Sequence, residues 1–291
     1  MFLLKPKLLL IALLLISSRT VASAQSSEPL EAAWIKEDIA SVAIVLNLVP
    51  FENQSISLLK ARLKDTWSVE EQDFGFGGKR LDLGKGNGYT KMFVEAFLFN
   101  GRVAYYELGI ESYSNEWPRI RDYMVEAWRK ITNVEPTITQ HRIAYRKTVH
   151  SVLASYRSAV LAHLGEMKPV DVPANLRDSY NLLTSFMENS AVSDGGCGLP
   201  PGLPEGKVAI DGLIEQDRFD LIGNVARGYN PGARVYAMLA LLEKQKQGRG
   251  LNLETRRTIR QIINLRIPIT TCAGCLVYYE TAKKVLAARR Q

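Results

Sequence analysis

The feature that most constrains the fold is the dipeptide Asn100-Gly101, which separates two segments rich in β-branched and aromatic residues. Lys91–Phe99 reads KMFVEAFLF and Arg102–Ile110 reads RVAYYELGI. A two-residue hairpin turn of type I′ needs positive φ at both central positions, and Asn-Gly tolerates this well. The sequence therefore predicts an antiparallel hairpin here.

Both faces of the predicted hairpin are apolar. Successive side chains of a strand point to opposite faces, so Phe93, Phe97 and Phe99 share one face. The alternate positions, on the other face, are Met92, Val94, Ala96 and Leu98. A sheet with one face in water shows apolar residues on one face only. We therefore expect this sheet to be covered on both sides.

The segments around the hairpin predict an α+β domain over residues 25–135. A strand is predicted over Ser41–Pro50, because this segment is rich in β-branched residues and ends at a proline. A helix is predicted over Ser55–Trp67, where apolar residues recur at helical spacing. The glycines of residues 73–88 predict turns between strands. A second helix is predicted from Trp117.

From residue 138 onward the hydrophobic pattern becomes helical. Thr139–Leu164 predicts one long helix and Asn175–Asn189 another. Further helices are predicted over residues 207–216, 217–227, 231–247 and 253–265. The Gly/Pro-rich segment 191–206 predicts a long, stiff loop. The expected fold class is α+β, with an N-terminal antiparallel meander and an all-α, partly repeat-like domain over residues 138–291.

One predicted helix resembles the second helix of a HEAT-type repeat. The segment NPGARVYAMLALL, residues 230–242, has a proline at the start of its helix and carries Arg234, with Ala237 and Leu241 on its packing face. The resemblance is limited to residues 208–265, which is at most two helix pairs. It implies a curved helical surface of the kind that binds a protein or peptide partner.

The first 24 residues have the organisation of a secretory signal peptide. Lys5 and Lys7 precede an apolar run, LLLIALLLI, and Ala22-Ser23-Ala24 supplies the small residues of a cleavage site. Cleavage after Ala24 is predicted. No later segment is long and apolar enough for a transmembrane anchor. The expected location is secreted or periplasmic.

The predicted mature chain, residues 25–291, has 34 basic and 30 acidic residues, a net charge of +4 against +7 for the whole chain. This small excess does not indicate a nucleic-acid partner. The glycines of residues 73–88 match neither the phosphate-binding loop nor the dinucleotide-binding pattern. The basic residues Lys283, Lys284, Arg289 and Arg290 are predicted to lie at the C-terminal end of a helix, where their charge complements the helix dipole.

Three cysteines remain after cleavage: Cys197 in the Gly/Pro-rich loop, and Cys272 and Cys275 in the segment ITTCAGCLVYY. The last two look like the start of a helix. Haem attachment is excluded because Leu276 stands where a histidine is needed. A thioredoxin-like fold is excluded because only 16 residues follow Cys275. Zinc needs four ligands, which the three cysteines and one histidine could supply. Export to an oxidising compartment favours disulfides instead, and we predict no metal site.

A structural disulfide is the favoured interpretation, because export permits disulfides. A bridge from Cys197 to Cys272 or Cys275 closes a long loop. In the chain-entropy model such a bridge stabilises by about 4.5 kcal/mol, against about 2 kcal/mol for a Cys272–Cys275 ring. All three pairings, Cys197–Cys272, Cys197–Cys275 and Cys272–Cys275, stay open at this point. The long bridge would tie the loop to the last helix.

No catalytic motif stands out. His141, His150 and His163 are predicted on one long helix but not on one face of it, so they do not form a metal site together. The first hypothesis is therefore an exported, non-enzymatic protein that binds a protein or peptide, without a cofactor. The first alternative is an exported thiol-redox protein using Cys272, with Cys275 resolving and Cys197 accessory. The second is a hydrolase with dispersed carboxylates.

Overall fold

A computed structural model describes Leu48 and residues 51–53, 55–63, 66–87, 90–113, 117–132, 135–198 and 202–289. The predicted signal peptide lies outside these described residues. So does the predicted strand over Ser41–Pro50, except for Leu48.

One antiparallel sheet organises the N-terminal part of the chain. Its strands are β1 (Ser68–Gly75), β2 (Gly78–Asn87), β3 (Thr90–Phe99), β4 (Arg102–Ser112), β5 (Thr137–Ile138) and β6 (Arg142–Thr148). They pair in the order β1-β2-β3-β4-β6-β5. The meander and the α+β class are confirmed.

The β3–β4 turn has the backbone that its sequence predicts. Asn100 and Gly101 have φ values of 48° and 77°, and Phe99 pairs with Arg102 directly across the turn. Positive φ at both positions is the mark of a type I′ loop. Gly84 and Gly86, for which the sequence predicts turn positions, lie within β2 instead.

The helices account for most of the C-terminal part. In chain order they are α1 (Ile56–Leu63), α2 (Trp117–Thr132), α3 (His150–Leu164), α4 (Arg177–Thr184), α5 (Glu205–Glu215), α6 (Phe219–Val225), α7 (Pro231–Lys246), α8 (Leu253–Asn264) and α9 (Ala282–Ala288). Asn230 and Asn252 cap α7 and α8: the side chain of each accepts a hydrogen bond from the backbone N–H three residues later, as a helix N-cap does.

The prediction of one helix over Thr139–Leu164 is wrong over residues 139–149. Residues 142–148 form β6, which pairs with β4, and the helix begins only at His150. Ile143, Ala144 and Tyr145 are all buried, so both faces of the strand are covered at its middle because successive side chains point to opposite faces. The sheet therefore continues past the predicted domain boundary near residue 135.

Each face of the sheet packs against its own helices, as the two apolar faces of β3 predict. Val94 and Ala96 belong to a core shared with Leu59 of α1 and Met124 of α2. Phe97 belongs to a second core, formed with α3 and the C-terminal helices. The sheet is thus the middle layer of the described fold.

Arg234 of α7 is the largest fully buried side chain, with 1% of its surface exposed. Its guanidinium donates to three backbone carbonyls: Gly228 at 2.8 Å, Tyr229 at 3.0 Å and Phe74 of β1 at 3.2 Å. Because buried carbonyls need donors, this one side chain joins the helical layer to the end of a sheet strand.

Replacing Arg234 with methionine leaves those three carbonyls without donors. The free energy of unfolding should therefore fall by about 3 kcal/mol, roughly 1 kcal/mol for each lost partner. Urea unfolding followed by circular dichroism measures this change. The matched control is Arg249→Met, which removes an exposed ion pair with Asp217 and should cost under about 1 kcal/mol. Equal losses in both variants would contradict the linking role of Arg234.

Candidate functional site

The C-terminal region contains a β-hairpin where the sequence suggests the start of a helix. Strands β7 (Ile269–Ala273) and β8 (Leu276–Glu280) are joined by Gly274-Cys275. Gly274 has a φ of 57°, which fits the first central position of a type II′ turn. Ile, Thr, Val and Tyr dominate both strands and favour extended backbone. The expected helix at Cys272 is therefore wrong, and the C-terminal part is not purely helical.

A disulfide joins Cys197 to Cys272, which are 75 positions apart in the sequence and have Cα atoms 5.7 Å apart. Cys275 is exposed and free. Of the pairings that the sequence leaves open, the structure has the long bridge through Cys272. The bridge ends on β7 rather than on the last helix, because Cys272 belongs to the hairpin.

Backbone hydrogen bonds also attach the loop around Cys197 to the outer edge of β7 and to the turn. Val192 donates to the carbonyl of Thr270 at 2.8 Å, and Gly198 donates to that of Gly274 at 2.9 Å. Gly274 in turn donates to Gly196 at 3.0 Å. Strand β7 is therefore bonded on both of its edges.

The loop is anchored in turn on α7 through Tyr236. The Tyr236 hydroxyl donates to the Ala191 carbonyl at 2.9 Å and accepts from the Ser193 N–H at 2.8 Å. Burial raises the pKa of Tyr236 to about 12, so the hydroxyl stays protonated and can donate at neutral pH. The hairpin is thus connected through the loop to the helical core.

Strand β8, in contrast, is bonded on one edge only. Ala273 pairs with Leu276 across the two-residue turn, and Thr271 pairs with Tyr278. In an antiparallel ladder, hydrogen-bonded and non-hydrogen-bonded pairs alternate. The N–H and C=O groups of Val277 and Tyr279 therefore point away from β7. Among the described residues, no other backbone group bonds to this edge of β8.

The side chains of β8 are also exposed, on both faces of the strand. The exposed fractions are Leu276 60%, Val277 57%, Tyr278 48% and Tyr279 60%. Folded proteins normally protect or charge such edges, because an apolar strand with unpaired backbone is a template for another strand. The free edge of β8, residues 276–280, is accordingly the candidate functional site.

The hairpin removes the physical basis of the thiol-redox alternative. That hypothesis needs Cys272 at a helix N-terminus, where the dipole favours a thiolate. Cys272 lies instead in the middle of β7, 9% exposed, with its sulfur bonded to Cys197. Cys275 occupies the turn and has no helix end to activate it.

A row of carboxylates crosses one face of the main sheet. Glu70 pairs with Asp82, Asp82 with Glu95, and Glu95 with Glu107 on successive strands. Directly opposed side chains on neighbouring strands have Cβ atoms about 5 Å apart. Sequence reasoning missed this row, because it depends on the register of four strands.

Arginines compensate the carboxylates unequally. Glu107, 7% exposed, accepts from Arg142 and Arg146, each at 2.7 Å. Asp82 has one partner, Arg80, at 2.9 Å. Burial raises the pKa of Asp82 above its ordinary value, an effect that Arg80 opposes but does not cancel. Such a carboxyl holds a proton to higher pH than an exposed one.

The histidines do not come together. His141 precedes β6 and stacks on Tyr113, with ring centroids 4.8 Å apart, so its predicted place on the long helix is wrong. His150 and His163 lie at opposite ends of α3. Across the described ranges, no group of three or more His, Cys, Asp or Glu residues could hold a metal ion. No helix in the same ranges is long and apolar enough to span a bilayer.

The comparisons with known proteins identify no relatives: no family model, no curated protein and no solved structure matches the chain. The resemblance of residues 208–265 to HEAT-type repeats therefore stays a prediction.

Removal of the Cys197–Cys272 disulfide should destabilise both the fold and the hairpin. The double variant Cys197→Ser/Cys272→Ser should lower the free energy of unfolding by about 4 kcal/mol, because the unfolded chain regains the freedom of a long loop. The hairpin amides should also exchange faster with deuterated solvent. The single variant Cys275→Ser is the matched control and should change neither quantity. Mass mapping without reduction that joins Cys197 to Cys275, or finds three free thiols, would contradict the pairing.

Proposed function

We propose that this is an exported, non-enzymatic protein that binds an extended segment of another polypeptide along β8. The observation that carries the proposal is the unpaired edge at Val277 and Tyr279, with exposed apolar side chains on both faces of the strand. Addition of a strand to an exposed sheet edge is a recurrent mode of peptide recognition.

The chemistry of the edge supports two levels of recognition. Val277 and Tyr279 offer two N–H donors and two C=O acceptors to an incoming strand, and each hydrogen bond contributes about 1 kcal/mol net. The side chains give selectivity. Val277 and Tyr279 would contact one face of the bound strand, and Leu276 and Tyr278 the other, because side chains alternate along a strand.

The framework around β7 favours binding by holding the edge in its extended form. The Cys197–Cys272 bridge and the Val192–Thr270 hydrogen bond secure β7, and β7 in turn holds β8. A strand that is already ordered loses little conformational entropy when a partner binds. This gives the disulfide a functional as well as a stabilising role.

Export belongs to the same proposal. Residues 1–24 have the organisation of a signal peptide, and the Cys197–Cys272 disulfide is compatible with an oxidising compartment. A protein with this edge exposed would meet its partner in the periplasm or outside the cell.

Selection of octapeptides from a random display library tests the edge. Peptides selected on the wild-type protein should bind the variant Val277→Pro at least about tenfold more weakly, because proline lacks the outward N–H that the bound strand needs. Proline should leave the β7–β8 ladder intact, because this N–H does not take part in it. Fluorescence anisotropy measures the affinity.

The matched control is Val277→Ala, which shortens the same side chain but keeps the N–H. It should retain affinity within about threefold. Unchanged circular dichroism and thermal midpoint of both variants would show that the fold is preserved. Equal binding by the proline and alanine variants, or failure of the library to yield a binder, would contradict the proposal.

A second candidate function, a hydrolase, is favoured by the raised pKa of Asp82 opposite Glu95. Two neighbouring carboxyls with different proton affinities can divide the roles of acid and base.

A panel of chromogenic glycosides and esters tests the hydrolase candidate. Any turnover should fall as pH rises through the pKa of Asp82, because only its protonated form can donate. Asp82→Asn should abolish turnover, while Glu70→Gln, at the exposed end of the row, should retain it; equal effects would exclude this candidate.

A further inference from the structure

We infer that the polypeptide bound along β8 is acidic at the end that lies beside Arg266, Lys283 and Lys284. This inference rests on the proposed function and specifies the chemistry of the partner. The edge supplies the backbone contacts, and a group of cations at the open end of the hairpin supplies the selectivity for charge.

The basic charge of the chain is concentrated in the C-terminal segment that contains the hairpin. Residues 251–289, which contain α8, the hairpin and α9, carry seven basic and two acidic residues, a net charge of +5. The whole predicted mature chain has a net charge of only +4. The remainder of that chain is therefore slightly acidic, and the basicity belongs to the C-terminal segment that contains the candidate site.

Three of these cations lie close in sequence to the open end of the hairpin. That end is marked by the pair Ile269–Glu280. Arg266 precedes this pair by three residues, and Lys283 and Lys284 follow it by three and four residues. All three cations are exposed.

The same cations are not used for ion pairs within the described fold. The ion pairs of this segment are made by Glu254 and Arg289, and none between described residues includes Arg266, Lys283 or Lys284. Exposed cations without internal partners are available to an acidic ligand.

The position of the two lysines is also unfavourable for the helix that contains them. Lys283 and Lys284 lie in the first turn of α9, behind the cap residue Thr281, and not in the last turn as the sequence suggests. Cations oppose the helix dipole at this end and complement it at the other. Helix stability therefore does not explain these lysines, and both are available to a carboxylate of the partner.

Two other occupants of the edge fit the site less well. A second copy of β8 would bring only one carboxylate, Glu280, to the group of cations. An anionic membrane would satisfy the charges, but it would leave the outward backbone groups of Val277 and Tyr279 unpaired in an apolar medium, which is costly. An extended acidic polypeptide satisfies both the backbone and the cations.

Two synthetic peptides test the inference directly. Each has a central Thr-Val-Thr-Val-Thr-Val segment; one carries three glutamates at each end, and the other three glutamines. In 50 mM NaCl the wild-type protein should bind the glutamate peptide about tenfold more tightly than the glutamine peptide. In 500 mM NaCl the preference should shrink to about twofold or less, because salt screens exposed charges.

The double variant Lys283→Gln/Lys284→Gln should lose the preference for the glutamate peptide and keep its affinity for the glutamine peptide. The matched control is Lys130→Gln/Lys246→Gln, which removes the same charge from exposed positions on α2 and α7. It should keep the preference. This comparison separates a local effect from an effect of net charge.

The possible failures are distinguishable. Equal binding of both peptides that is still lost in Val277→Pro would overturn the acidic partner and leave the binding edge standing. Binding of neither peptide would overturn both. Two further results apply if the protein shows no preference for the glutamate peptide. Sedimentation with phosphatidylglycerol vesicles would replace the acidic polypeptide with a membrane as the partner. A dimer that Val277→Pro abolishes would replace it with a second copy of the chain.

Discussion

The Cys197–Cys272 disulfide is the constraint on which the C-terminal hairpin depends. It joins a Gly/Pro-rich loop without helices to the inner strand of a two-stranded sheet, and an isolated two-stranded hairpin is only marginally stable in water. Hydrogen bonds from Val192 and Gly198 extend the same contact along β7. The bridge thereby lets an exposed strand, β8, remain extended without packing against the core.

The β3–β4 hairpin could be predicted from local signals, whereas strand β6 and the C-terminal hairpin could not. Asn100-Gly101 specifies its turn through backbone conformation alone, independently of the rest of the chain. The segment around Cys272 gives conflicting signals, since the threonine before Cys272 can cap a helix while the β-branched and aromatic residues on either side favour strands. The sequence did not predict strand β6, because the segments on either side of it in the sequence have helical spacing. Residues 142–148 form a strand because they pair with β4.

The candidate sites could not be predicted from the sequence, for a different reason. Regular pairing from the Asn100-Gly101 turn would place Glu95 opposite Tyr106, but an irregularity between Phe97 and Leu98 shifts the register and pairs Glu95 with Glu107. The edge of β8 is defined by the strand that does not pair with it, and no local pattern records that. Cys272, on the neighbouring strand β7, was visible in the sequence, but only the fold fixed Cys197 as its partner.

Hydrogen exchange at single amides of the hairpin tests the central claim most directly. In the free protein the Tyr278 amide should be protected by the ladder, while the Val277 and Tyr279 amides exchange rapidly with solvent. Addition of a peptide that binds β8 should slow amide exchange at Val277 and Tyr279 and leave exchange at Tyr278 unchanged. Protection of Val277 and Tyr279 in the free protein, or rapid exchange that persists in the complex, would contradict a binding edge on β8.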